Sequence, residues 1–544
     1  MSRQAGRFLV MILIAALLLS ACTDEPEATS DPAPARPTSA AQTLAPTTAP
    51  SRQPDPVPAP PDLSTLDYEA SLAEGDCPAE LDEFELDGFG VVCAYLSVPE
   101  DRNDPEAATI ELAVAIIPSR SANPRPDPII YLEGGPGGSA MLSIADWIDS
   151  ELRDEYELIL FDQRGTGLSL PSLNCIEMEL AEDDDASLEA AEECRDRLLD
   201  EGVNLSAYSS AANAADVADL IEQLGYEQVN LFGISYGTRL AMTVMRNHPE
   251  RIRSVILDSP YPPNVYASRE QALHAGRAIQ AMLRGCAADP ECDDAFPDLE
   301  ARFYDLVDRL NEEPVLVEVE DVETGETDQR EVTGDDLVSQ LSDWLYVTDL
   351  ISYMPLMIHQ LEAENDTDAL RFLFEGGGGG EDFRRQGEDD QGDISDSEAM
   401  FYALECREES AFSTMDEARE LAEAELPPQL SEPLLASVES FFAMCDIWQV
   451  DSADPSERAQ VRSDLPTLVL AGEYDPVTPP VWGEIAAEGL SRSFFYVLPA
   501  GGHAVVDAST CMLEVTKAFL NQPTRDPNTG CVDDLYPLFA YELP

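Results

Sequence analysis

Of 544 residues, 107 are Asp or Glu and 31 are Lys or Arg, so the formal net charge is -76. Nucleic acid or an anionic membrane surface would need a basic patch of a size this chain does not have, and with Lys517 as its one lysine, Schiff-base chemistry is set aside as well. The 44% hydrophobic and 25% charged content is that of a globular chain, long enough for one large domain or two ordinary ones.

The globule does not begin at residue 1. Arg3 and Arg7 precede an apolar run over 8–19, followed by Leu19-Ser20-Ala21-Cys22. This is the pattern of a secretory signal, too short to span a bilayer as a stable helix. A cysteine directly after Leu-Ser-Ala also resembles a bacterial lipobox. The expectation is a signal peptide over 1–21, lipidation of Cys22, and an extracytoplasmic protein anchored to the outer face of the bacterial cell membrane through the lipid alone. Residues 22–66, rich in Pro, Ala, Thr and Ser, cannot bury a core and read as an extended tether. Export implies an oxidising compartment, and setting Cys22 aside leaves an even number of the 11 cysteines. They fall in near neighbours: Cys77 and Cys93, Cys175 and Cys194, Cys286 and Cys292, Cys406 and Cys445, Cys511 and Cys531. Pairing in that order is expected, although sequence alone does not determine connectivity. With no CxxC spacing and no clustered histidines, no metal site is expected.

Short β-branched or apolar runs predict strands over 91–98, 109–117, 129–132, 158–161, 229–232, 254–257, 467–470 and 494–498. The first two flank a turn-like segment and read as an antiparallel hairpin; helical patterns separate the later ones, as parallel strands require. The fold class is therefore α/β, an eight-stranded, mostly parallel open sheet. A long acidic, mostly helical stretch after the sixth strand, broken by the glycine run 376–380 and the polar segment 381–393, reads as a cap over the carboxyl ends of the strands. The expected boundaries are a first core segment over 67–263, the cap over 264–454 and a second core segment over 455–544.

The chemistry collects at the strand ends. Gly233-Ile234-Ser235-Tyr236-Gly237 lies between a strand and a helix, the context of a nucleophile elbow. A serine hydroxyl needs a base within hydrogen-bond reach, and the chain offers four histidines. His248 ends the elbow helix, and His274 and His359 sit on helical patterns in the cap. His503, on a glycine-rich loop after the last strand, occupies the position of the base. The orienting acid should follow the seventh strand, where Asp475 stands; Glu473 is the alternative and Asp507 a distant third. The glycine-rich loop after the third strand, Glu133-Gly134-Gly135-Pro136-Gly137-Gly138, belongs where one oxyanion N–H is donated. Gly135 is the expected donor with Gly134 as the alternative, and the second donor is the N–H of Tyr236. No GK[ST] follows to suggest a phosphate-binding loop.

These motifs, with Asp162-Gln163-Arg164-Gly165-Thr166-Gly167 and Ser169, Pro249-Glu250-Arg251, Cys445-Asp446-Ile447-Trp448 and Asp475-Pro476-Val477-Thr478-Pro479, resemble the prolyl and tripeptidyl aminopeptidase family of secreted α/β-hydrolases. The likeness runs from about Cys77 to Cys531. It implies an α/β-hydrolase fold with a cap-covered site that removes one or a few residues from the N-termini of peptides, with no cofactor. Glu133 departs from the histidine usual in single-domain proline iminopeptidases, which favours the larger tripeptidyl-type branch. The stretch Ala403-Leu404-Glu405-Cys406-Arg407-Glu408 resembles a family segment in which an acid follows a cysteine, so Glu408, or alternatively Glu405, is the candidate ligand for the substrate amine. An esterase or other acyl hydrolase with the same triad is the second reading, and a non-catalytic binding lipoprotein of the envelope the third. The partners expected are peptide substrates with a free N-terminus, and the chain is expected to be a monomer. The remaining acids read as a salt-adapted surface whose self-repulsion salt would relieve.

Overall fold

The computed structural model describes residues 68–541, apart from positions 69, 85, 105, 180–183, 321–326, 365–393 and 538. The signal sequence, Cys22, the whole tether over 22–66, the glycine run 376–380 and the polar segment 381–393 lie outside these residues. No helix among the described residues is long and apolar enough to cross a membrane.

Eleven strands are described: β1 (Ser71–Gly75), β2 (Val92–Pro99), β3 (Thr109–Ile117), β4 (Ile129–Leu132), β5 (Leu158–Phe161), β6 (Val229–Ile234), β7 (Ile252–Asp258), β8 (Val315–Glu320), β9 (Thr327–Val332), β10 (Thr467–Gly472) and β11 (Ser493–Leu498). Nine of them form one sheet in the order β1-β2-β3-β5-β4-β6-β7-β10-β11. Pairing is antiparallel from β1 to β5 across the first four strands and parallel from β5 to β11. The sheet thus has one strand more than the eight expected. The extra strand β1, Ser-Leu-Ala-Glu-Gly, is an exposed edge with little apolar periodicity to announce it. Pairing with β2 and the Cys77–Cys93 bridge hold it in place.

The central strands are buried along their whole length because helices cover both faces. Alternate residues serve opposite layers. Ile130, Leu132, Leu231 and Val469 pack with the elbow helix, Tyr236–Asn247, while Ile129, Tyr131, Phe232 and Leu468 pack with Val515 and Phe519 of helix Thr510–Asn521.

Between β7 and β10 lies the insertion, whose described residues form helices and the β8–β9 hairpin. Most of it has a core of its own, with Ile279, Phe303, Leu341, Met357 and Leu434 packed together. Helix Glu398–Glu408 behaves differently: Met400, Ala403 and Leu404, with Trp448, join the core of the sheet. The ten described cysteines are joined as Cys77–Cys93, Cys175–Cys194, Cys286–Cys292, Cys406–Cys445 and Cys511–Cys531.

Candidate active site

Strand β6 turns into helix Tyr236–Asn247 at Ser235, whose backbone sits at φ 55° and ψ -123°. A left-handed φ in a residue with a side chain is strained, by about 1–3 kcal/mol, and persists only where its surroundings fix it. Here they do. The Ser235 N–H donates to the Asp258 carbonyl at 3.0 Å, and Thr238 donates to the Ser235 carbonyl from its N–H at 2.9 Å and its hydroxyl at 2.6 Å. The flanking glycines are sterically required: a Cβ on Gly233 would lie 2.3 Å from the Gly237 oxygen, and one on Gly237 would lie 1.9 Å from the Leu132 oxygen.

His503 follows β11 on the loop Gly501-Gly502-His503. Its Nδ1 lies 2.8 Å from Oδ2 of Asp475. Asp475 is fully enclosed and also accepts from the N–H groups of Val477 and Thr478 and from the Thr478 hydroxyl. Burial alone would raise its carboxyl; the neighbouring His503 and these donors hold it below the usual carboxylate range. The other ring nitrogen, Nε2, is buried and makes no hydrogen bond among the described residues, Ser235 included. Glu473, the alternative acid, accepts from the Ala500 N–H instead.

One residue ties the serine turn to the histidine loop. Asp258, at the end of β7, holds the Ser235 N–H with its carbonyl, while its carboxylate accepts from Val505 N–H at 3.0 Å and Val506 N–H at 2.9 Å. Its neighbour Ser259 accepts from the Ala504 N–H through its hydroxyl. Burial pushes the Asp258 carboxyl up to about 7 against the pull of the two N–H groups. The cap grips the same loop from outside. The His503 N–H donates to the Tyr346 carbonyl at 2.9 Å, the Gly502 N–H donates to the Thr348 hydroxyl, and the Tyr346 ring stacks on His503 with centroids 4.4 Å apart.

The glycine loop after β4 lies against the serine: a Cβ on Gly134 would meet Ser235 Cβ at 3.1 Å. The Gly134 N–H donates to Glu133 Oε1 at 2.7 Å, whereas Gly135 is exposed at φ 100°. Among the described residues, neither the Gly135 nor the Tyr236 N–H donates to a protein acceptor. The loop is pinned to the segment before helix Glu398–Glu408 by Ser397 N–H to the Gly137 carbonyl and Ser139 N–H to the Ser395 carbonyl.

That helix and the residue that caps it, Glu409, bring three buried acids to the elbow helix. Glu408 accepts from the Ser210 N–H and hydroxyl and pairs with Arg239 at 3.1 Å; Glu409 pairs with Arg239 and Arg458, each at 2.8 Å. Glu408, first choice from sequence, is thus neutralised from within the fold. Glu405 has no ion pair within 4.0 Å among the described residues and accepts from the Tyr261 hydroxyl at 3.0 Å. Burial and then the Glu409 charge lift its carboxyl to about 8, with Arg239 opposing.

The remaining histidines have other partners or places: His274 bonds Glu270 and packs edge-on to Trp482, His359 bonds Arg302, and His248 ends the elbow helix. Cys175, Glu177 and Cys194 are close enough to suggest a metal site, but the two sulfurs are bonded to each other and are no longer thiolate ligands. Asp258, Thr478, Arg239 and Tyr346 were not singled out from the sequence. Only Thr478 carried a signal, in the Asp-Pro-Val-Thr motif.

A mostly parallel sheet whose nucleophile-type turn, carboxylate-bonded histidine and glycine loop all lie at strand ends has the architecture of an α/β-hydrolase. The family model for the alpha/beta hydrolase fold matches residues 127–508, and the chain belongs to this family. It is 24% identical over 474 residues to the serine protease Hip1 of Mycobacterium tuberculosis, covering 81% of this chain and 86% of that one. It is 26% identical over 219 residues to a tripeptidyl aminopeptidase of Streptomyces coelicolor, covering 37% of this chain and 38% of that one. Among solved structures, the proline iminopeptidase of Mycobacterium smegmatis is similar at 15% identity and a TM-score of 0.36, over 79% of this chain and 98% of that one.

Proposed function

We propose that this chain is a serine peptidase that releases one or a few residues from peptide N-termini, with Ser235, His503 and Asp475 as its triad. The observation that carries the reading is the state of His503: one ring nitrogen bonded to a buried carboxylate, the other enclosed and unbonded, on a loop tied through Asp258 to a strained serine turn. Asp475 keeps the proton on Nδ1, so Nε2 can accept one. Ser235 Oγ attacks the scissile carbonyl carbon while its proton passes to His503 Nε2. The oxyanion that forms is held by the N–H groups of Gly135 and Tyr236. As the C–N bond breaks, Nε2 returns the proton to the leaving amine. Water, deprotonated by the same nitrogen, then cleaves the acyl-serine and restores its hydroxyl. Names borne by the relatives, a serine protease and a tripeptidyl aminopeptidase, support the peptidase reading.

Glu405 is the group we assign to the substrate amine. Of the three buried acids Glu405, Glu408 and Glu409 it is the one without a guanidinium partner among the described residues, and an ammonium would supply the missing charge. Export, the lipid on Cys22 and the monomeric state belong to the same proposal and rest on the sequence. The test compares peptides with free and blocked N-termini, and an ester, on the wild type, Ser235→Ala and Glu405→Gln. Loss of all activity in Ser235→Ala, and a raised KM confined to free-amine peptides in Glu405→Gln, are expected. Equal turnover of blocked and free peptides would reduce the assignment to a general acyl hydrolase.

A further inference from the structure

The loop Gly134-Gly135 offers two successive backbone N–H groups beside Ser235 and, lacking side chains, has no rotamer or packing of its own to decide which of them faces the substrate. The decision is made by the side chain just before it. Glu133 Oε1 accepts the Gly134 N–H at 2.7 Å and the Tyr131 hydroxyl at 3.0 Å. Tyr131 is a buried anchor: it belongs to β4 and is packed against Trp147 and Phe232, with centroids 4.2 and 5.9 Å away. The Glu133 main chain is held as well, its carbonyl accepting from Gln163 Nε2 at 3.0 Å. Room for the side chain comes from Gly138, where a Cβ would lie 2.9 Å from Glu133 Cγ.

From this geometry we propose that Glu133 is a positioning residue that takes the Gly134 N–H out of the cleft and so makes Gly135 the oxyanion donor of the loop. This rests on the assignment of Ser235 as nucleophile. Peptide groups are planar, so the bond to Glu133 Oε1 fixes the plane that carries the Gly134 N–H, while the next plane, which carries the Gly135 N–H, is held at its other edge by the Gly134 carbonyl accepting from the Gly138 N–H at 3.4 Å. The loop touches the serine turn directly, and a donor displaced there is displaced relative to the reacting carbon. A misplacement of about 1 Å can cost about 100-fold in rate. The role needs an acceptor oxygen, not a charge, and a carboxamide would serve it.

The experiment compares Glu133→Gln and Glu133→Met with the wild type by kcat and KM on a chromogenic substrate, by affinity for phenylboronic acid as a tetrahedral mimic, and by labelling with a fluorophosphonate. Glu133→Met should lose about 10- to 100-fold in kcat and in boronate affinity together, with KM little changed. Glu133→Gln should recover both. A folded Glu133→Met with wild-type kcat overturns the proposal, and so does a Gln variant that falls as far as the Met variant. If Glu133→Met does not fold, Tyr131→Phe, which removes the anchor but leaves the Gly134 bond, should show a smaller loss of the same kind; wild-type kcat and boronate affinity there overturn the proposal too. Failure of the nucleophile assignment is distinguishable, because it appears in the wild type itself as no fluorophosphonate adduct on Ser235.

Discussion

Replacing Asp258 by Asn changes one oxygen for an NH2 group and almost no volume, yet it should disturb both the serine turn and the histidine loop. Each carboxylate oxygen now accepts one N–H, from Val505 at 3.0 Å and from Val506 at 2.9 Å. A carboxamide offers one acceptor, so one N–H would face an NH2 group, and two buried donors would be left without partners. An unsatisfied buried group costs about 1–3 kcal/mol, and the fold can relieve it only by moving the loop that follows His503. A shift of about 1 Å there would lower kcat by as much as about 100-fold. The effect also carries a pH signature. The Asp258 carboxyl titrates at about 7, pushed up by burial, so the wild type holds two full acceptors above that pH and a neutral acid below it. The ratio of wild-type to Asp258→Asn kcat should therefore be largest at pH 8 to 9 and shrink as pH falls through about 7. Steady-state kinetics across this range, with urea unfolding of both proteins, measure it. A variant with wild-type kcat at pH 8 would refute the reasoning, as would a ratio that does not change with pH.

Two further outcomes are expected. Asp475→Asn should fold but lose about 10⁴-fold in kcat, because the amide no longer fixes the Nδ1 proton of His503; a loss under tenfold would exclude the triad role. Stability should fall as pH rises from about 4 to 8. Glu133 and Asp258 are raised to about 7, Asp162 to about 6 and Glu405 to about 8, chiefly by burial, so over this window the folded chain retains protons that the unfolded chain has released. Melting temperatures measured at pH 5 and pH 8 check the sign, and a higher value at pH 8 would contradict it.

Strands whose residues are buried on both faces were legible because they are unbroken apolar runs; β4 and β5 have the bounds that their composition predicts. The edge strand β1 was not, since a mostly exposed strand needs no apolar pattern. The serine turn and the loops around it announced themselves through glycines that the backbone requires. The partners of the carboxylates could not be read this way. Glu408 meets Ser210 and Arg239 across 198 and 169 positions of sequence, and nothing local to any of the three foretells the encounter. For the same reason the role of Asp258 emerges only when β7 lies beside β6.

The disulfides bear on how such a chain can be made. Their partners are 16, 19, 6, 39 and 20 residues apart, and no bridge spans another. As the globule emerges from its N-terminal side, each second cysteine finds its partner as the nearest one still unpaired behind it. Oxidation in order of appearance therefore yields the native set without reshuffling. The cap, inserted between two halves of the sheet, can be cross-linked before β10 and β11 arrive to complete the site.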